Sequence, residues 1–323
     1  MKRLLTVLLA GLLLSFSAVA QTDFDKLESK LLEYACTLDL EPEDVRNAEC
    51  DMLIESAKDS LVRQFVALKL YELYADPRVM GTESTAVYLV DKWFSTGKVK
   101  MHSDFELFNA EIFADFNRQS LLGCPAPPVV MEDSYGARVS LFENGGTGRY
   151  AVLYFYDTDC ITCKMMSPRV TRILDGRKES LDIYPVYTGS DYDAWMRYIA
   201  SHFFSEKYHN LWDPKFDSGF QEKYGVLSTP KLFLVAPDGT ILGRGLDATA
   251  LETLLDRLAV LSSDLHPAGD RPAVEDTVPD ILYNNGVNTN AHAGTDGTGT
   301  SATATNNNSN ACHCVTPNCC CNH

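Results

Sequence analysis

The sequence predicts a layered α/β domain over residues 121–264, behind an all-helical region over 21–120. Three observations carry this. From 129 to 261, short apolar runs alternate with helical stretches, the pattern of strands interleaved with helices. One run, 150–156, is an unbroken series of apolar and aromatic residues, as a central strand buried on both faces requires. Before 121 the apolar residues recur instead at helical spacing.

The first twenty residues read as a secretory signal peptide. Lys2 and Arg3 supply the charged start, 4–16 the apolar core, and Ala18-Val19-Ala20 the small-residue cleavage site. The apolar stretch is too short to favour a membrane span. The expected product is an exported soluble protein starting at Gln21, with the periplasm as its compartment. The residue directly after the cleavage site is Gln21 and not a cysteine, so no lipid anchor is expected.

In 21–120 three apolar stripes recur at helical spacing. They are Phe24, Leu27 and Leu31; Ile54, Ala57, Leu61, Phe65 and Leu68; and Phe105, Phe108, Ile112 and Phe116. Ser103 and Glu106 form a capping box before the third. This reads as a small bundle packed against the α/β domain. Cys36 and Cys50 are candidates for a structural disulfide, a pairing that spacing does not decide.

Ala126-Pro127-Pro128 breaks the helical pattern, and 129–131 and 139–141 read as short strands around a Ser134-Tyr135-Gly136 turn. The buried strand at 150–156 comes next. A helix over 164–174 is closed by Gly176. Then come a strand at 181–187, a helix at 192–203, a short strand at 210–212 and a short helix at 219–224. Pro237-Asp238-Gly239 between two apolar runs signals a hairpin. Leu251, Leu254, Leu255 and Leu258 mark one face of a closing helix over 248–261. From 265 to 323 the composition turns to Asn, Thr, Gly, Ala and Ser, which cannot bury enough surface to offset ordering, so a disordered tail is expected.

The net charge of −16 argues against nucleic acid as a partner, because binding phosphates needs basic clusters. The 10 cysteines fall into three sets. Cys36, Cys50 and Cys124 are scattered, and Cys124 reads as a lone thiol or a minor disulfide partner. Cys160 and Cys163 are a close pair. The third set ends the chain.

The close pair carries the chemistry. Asp159-Cys160-Ile161-Thr162-Cys163 lies between the buried strand and a helix. A helix N-terminus offers unpaired N–H groups and the positive end of the dipole, which stabilise a thiolate. The thiolate is the reactive form in thiol–disulfide exchange. Cysteines at i and i+3 can also close a small ring. Pro168 lies inside the following helix, where it should kink it. Thr229-Pro230 precedes an apolar strand, as in a cis-proline loop.

This set resembles the thioredoxin superfamily. The run Cys160-Ile161-Thr162-Cys163-Lys164-Met165-Met166-Ser167-Pro168 is similar to its active-site helix. The extra strands at 129–141 and the long segment between Leu181 and Tyr224 resemble the exported TlpA-like branch, which includes enzymes of cytochrome c maturation. The resemblance implies a central mixed sheet flanked by helices and a redox-active Cys160–Cys163 disulfide. Cys160 would be the exposed nucleophile and Cys163 the resolving thiol. Thr229 and Pro230 would help hold the substrate. The implied activity is that of an exported thiol–disulfide oxidoreductase, acting as a protein disulfide reductase. No cofactor is implied. The partners are protein disulfides and a protein that recycles the dithiol. Three positions depart from the family. Asp159 replaces the usual Trp, Tyr154 stands where thioredoxins bury an acid, and Met166 where many TlpA-like members carry a Glu.

At the C-terminus, Cys312, His313, Cys314, Cys319, Cys320, Cys321 and His323 make a soft-metal ligand set suited to Cu(I) or Zn. An unselected low-complexity end is the competing reading. The tail supports the alternative function, a non-enzymatic exported binding or metal-handling protein. His202 and His209 lack further ligands at useful spacing and read as surface or capping residues.

Overall fold

Side-chain caps at Asp59 and Ser103 set two of the helix starts in the first part of the chain. In the computed structural model, which describes residues 23–177 and 181–265, the chain forms α1 (23–38), α2 (Glu43–Ser56), α3 (Ser60–Ala75), α4 (Glu83–Leu89) and α5 (Asp104–Arg118). The predicted signal peptide and the Cys- and His-bearing tail lie outside the described residues. A π-helical turn, Val90–Phe94, continues α4. Ser103 caps α5, its Oγ accepting the Glu106 N–H at 3.2 Å, while Glu106 Oε2 accepts the His102 N–H. The expected box therefore forms, with its return bond one residue earlier. Ile54, Leu70, Tyr74, Trp93 and Phe94 fill the core between these helices.

Two of the predicted stripes are redrawn. The 54–68 stripe spans a break, because Asp59 Oδ1 accepts the N–H groups of Leu61 and Val62 and starts a new helix. Leu61, just after that cap, is exposed. In α5 the packed side is Leu107, Ala110, Phe113 and Ala114, while Phe105 and Phe108 face solvent. Alanines at the contact let the helix approach its neighbours closely, and that packing outweighs the burial of two phenylalanines.

The second part is one seven-stranded sheet. Its strands are β1 (Val129–Asp133), β2 (Arg138–Leu141), β3 (Tyr150–Tyr156), β4 (Leu181–Tyr187), β5 (Leu211–Trp212), β6 (Lys231–Val235) and β7 (Ile241–Arg244). Its helices are α6 (Ile161–Asp175), α7 (Tyr192–His202), α8 (Phe220–Lys223) and α9 (Ala248–Leu265). The order is β2-β1-β5-β4-β3-β6-β7. β3 runs parallel to β4 and antiparallel to β6, so the sheet is mixed.

β3 is buried on both faces because its residues alternate between two cores. Val152, Tyr154 and Tyr156 join the core under α6, α7 and α9. Ala151, Leu153 and Phe155 join the opposite core, with Phe220 and Tyr224. Each large apolar side chain so buried contributes about 1.5–3 kcal/mol. The predicted hairpin forms at Pro237-Asp238-Gly239, where Gly239 takes φ +95° and Thr240 N–H donates to Asp238 Oδ1.

The two parts meet along β7 and α8. Arg244, on edge strand β7, pairs with Glu83 of α4 at 2.6 Å and donates to Asn117 of α5 at 2.7 Å. Gly225 has φ +58°, and a Cβ there would lie 2.2 Å from the Phe116 carbonyl oxygen. Only glycine admits that approach of α5.

Candidate functional site

The antiparallel register of β3 and β6 builds the site. Phe155 pairs with Lys231, so the peptide before Lys231 lies beside the end of β3. From that end the chain turns through Asp157, whose Oδ1 accepts the Asp159 N–H at 2.8 Å, and reaches Cys160. Cys160 is the N-cap of α6, with extended backbone, and its Sγ accepts the Cys163 N–H at 3.0 Å. The first turn of α6 carries no acidic residue, so nothing in the helix opposes its positive end.

Cys160 and Cys163 are joined in a disulfide, with Cα atoms 5.2 Å apart. Cys160 is half-buried, whereas Cys163 is fully buried in the α6-side core. Ile161 and Met165 flank the pair and are exposed. Across from them the Thr229–Pro230 peptide is cis. The Thr229 carbonyl oxygen lies 3.2 Å from Cys160 Sγ, where a reduced thiol would donate to it. All four sequence-predicted residues of the fold thus converge on one spot.

Beneath the disulfide is a network that the sequence does not announce. Tyr198 donates its hydroxyl to Ser167 Oγ at 2.9 Å, and the Tyr154 hydroxyl shares a hydrogen bond with the same atom at 3.0 Å. All three residues are buried. Burial pushes the Tyr154 phenol well above its ordinary range, and Tyr198 rises for the same reason. One signal was present: Ser167 is the one polar residue on a helix face otherwise made of Cys163, Val170 and Leu174. The Tyr156 hydroxyl and the Trp195 indole N–H, in the same core, have no partner in good hydrogen-bond geometry.

The departures also have places. Asp159 is exposed, where water and salt weaken its field. Met166 packs as a half-buried side chain against the α6-side core. His202 stacks on the Tyr198 ring at 4.2 Å and bonds Ser201, and His209 lies against Tyr184, so both have local packing roles. Cys124 is buried and disulfide-bonded. Cys36 and Cys50 are not bridged: Cys36 is exposed beside Arg78, and Cys50 is a buried free thiol. Among the described residues no three His, Cys, Asp or Glu side chains gather as a metal site. No helix among them is long and apolar enough to cross a membrane.

Residues 138–259 match the family described as a thioredoxin-like domain. This part of the chain is a thioredoxin-like domain. The chain is similar in fold to a thioredoxin-like protein from Bacteroides caccae, at 16% identity and TM-score 0.57, over 72% of this chain and 84% of that one. That share exceeds the thioredoxin-like domain, so the likeness takes in part of the helical region. A thiol:disulfide interchange protein from Bacteroides sp. is 22% identical, with TM-score 0.41, over 46% of this chain and 97% of that one. The thioredoxin domain of a thiol-disulfide oxidoreductase from Bacteroides vulgatus is 22% identical, with TM-score 0.38, over 42% and 96%. No curated protein matches the chain.

Proposed function

We propose that the chain is an exported thiol–disulfide oxidoreductase of the TlpA-like kind, working as a protein disulfide reductase. The observation that carries this is the placement of the pair: Cys160 half-exposed on the cap of α6 and facing the cis-Pro230 loop, Cys163 buried one helical turn on. In the reduced protein the Cys160 thiolate attacks one sulfur of a substrate disulfide. A mixed disulfide forms, and the other substrate sulfur leaves as a thiolate that takes up a proton. Cys163, losing its own proton, then attacks Cys160 Sγ and expels the second substrate thiol. The substrate gains two electrons and two protons, and Cys160–Cys163 becomes the disulfide. A partner protein must reduce it again. Thr229 and Pro230 hold the substrate segment beside Cys160. The reaction needs no organic cofactor.

An equilibrium redox titration of residues 21–265 tests this, with thiols trapped by alkylation and read by mass. A single two-electron transition at Cys160 and Cys163 supports the reading, and its midpoint separates a reductase from an oxidase. Cys160→Ser should abolish exchange, and Cys163→Ser should accumulate a mixed disulfide on Cys160. Absence of a reversible transition would sink the proposal.

A further inference from the structure

Between the helical region and the thioredoxin-like domain lies a cavity of about 700 Å³, a size that suits small organic ligands. Four cationic side chains line it: Arg78 from the chain after α3, Lys231 from β6, Arg244 from β7 and Arg257 from α9. Met80, Phe113, Ala250 and Leu254 supply an apolar wall. Two acids also line it, but both are engaged within the protein. Glu83 pairs with Arg244 and accepts the Gly81 N–H, and Asp247 caps α9 through the Ala250 N–H.

Arg244 is only 5% exposed, yet its Nε has no hydrogen-bond partner. A buried guanidinium N–H without an acceptor is costly, and a carboxylate accepts from such a donor best. Arg257 and Arg78 are both exposed, which leaves two cationic side chains of the cavity in contact with solvent, Arg78 already paired with Asp39. We propose that this cavity binds a small organic anion, a carboxylate with a short apolar body. Its head would lie among Arg244, Lys231 and Arg257, and its body against Met80, Phe113 and Leu254. The site is separate from the dithiol, and its occupancy does not depend on the redox reading.

Calorimetric titration of the full mature chain with octanoate, and with neutral octanamide, tests this. Octanoate should bind one to one and at least ten-fold tighter than octanamide. Ala250→Trp, which fills the cavity, should abolish octanoate binding, and Arg257→Glu should weaken it at least three-fold. Circular dichroism and an intact Cys160–Cys163 redox transition show that these variants are folded. Equal affinity for the amide, no heat with octanoate, or undiminished binding by a folded Ala250→Trp would each overturn the proposal.

Discussion

Both halves of the molecule carry a pair of cysteines, and the surrounding backbone gives the pairs different chemistry. In the helical region Cys36 and Cys50 sit on separate helices, α1 and α2, and both are free. Burial pushes the Cys50 thiol up to about 12. In the thioredoxin-like domain Cys160 and Cys163 share one helix start and are bonded. There Cys160 Sγ accepts a backbone N–H, the kind of bond that favours a thiolate. The mere presence of two cysteines does not decide the chemistry of either pair. What separates Cys160 from Cys50 is whether the thiol meets an unpaired N–H at a helix end or a mostly apolar core, and Cys36, exposed beside Arg78, has neither setting.

The sharpest test of that contrast is thiol reactivity in the reduced chain. Iodoacetamide at pH 8 should label Cys160 and Cys36 readily. Cys50 should react only through unfolding, slower by at least ~10³-fold for a fold stable by about 5 kcal/mol. Mass spectrometry after timed quenching reads the rates. Equal labelling of Cys50 and Cys36, or a Cys36–Cys50 disulfide in the native chain, would erase the distinction.

The next test concerns what joins the two regions. Arg244 and Glu83 are both buried, so removing one strands the other. Arg244→Ala should cost about 3–5 kcal/mol in urea unfolding. Pairing it with Glu83→Gln should recover much of the loss. A loss below about 1 kcal/mol, the scale of an exposed ion pair, would mean that the regions do not depend on this contact.

Local signals were legible in the sequence where neighbours in the chain decide the structure. The 150–156 strand, the Pro237-Asp238-Gly239 turn and the Ser103–Glu106 cap all depend on residues within a few positions. The dithiol and the cis-proline loop were legible because their spacing and context are distinctive. The exposed Phe105 and Phe108 were not, because the packed face of α5 is set by the partners it meets. The Arg244–Glu83 pair and the Tyr154–Ser167–Tyr198 network join residues far apart in sequence, and no local pattern announces them.

Lys231 gives a smaller and pH-dependent effect. Burial, with Arg244 adding to it, lowers its amine to about 8, against an ordinary value near 10.5. The folded state therefore disfavours the charged form. Below pH 8 both states carry the proton and the full penalty, up to ~3 kcal/mol, weighs on the fold. As pH rises from 8 to 10.5 only the unfolded chain still holds the proton, and stability rises. The hydrogen bond from Lys231 to the Gly225 carbonyl offsets part of this, about 1 kcal/mol. Lys231→Met should thus stabilise the fold by about 2 kcal/mol at pH 7 and lose that advantage by pH 10.5. Thermal unfolding across that range checks it, and a pH-independent difference would refute the assignment.

The smallest expected effect lies beneath the disulfide and bears most directly on its chemistry. Tyr154 stands where thioredoxins bury an acid, and a carboxylate there can take up a proton near neutral pH. A phenol whose pKa burial raises further stays protonated throughout that range, so Tyr154 has no vacancy for the Cys163 proton. Its role is then to hold Ser167 together with Tyr198. Tyr154→Phe removes one buried hydrogen bond and leaves Ser167 its Tyr198 donor, a cost of ~1 kcal/mol. The rate of disulfide exchange and its pH profile should stay within about two-fold of the parent, since no titrating group is lost near neutrality. A fall of ten-fold or more, with a shifted pH profile, would make the phenol part of the proton path and overturn this account of the site.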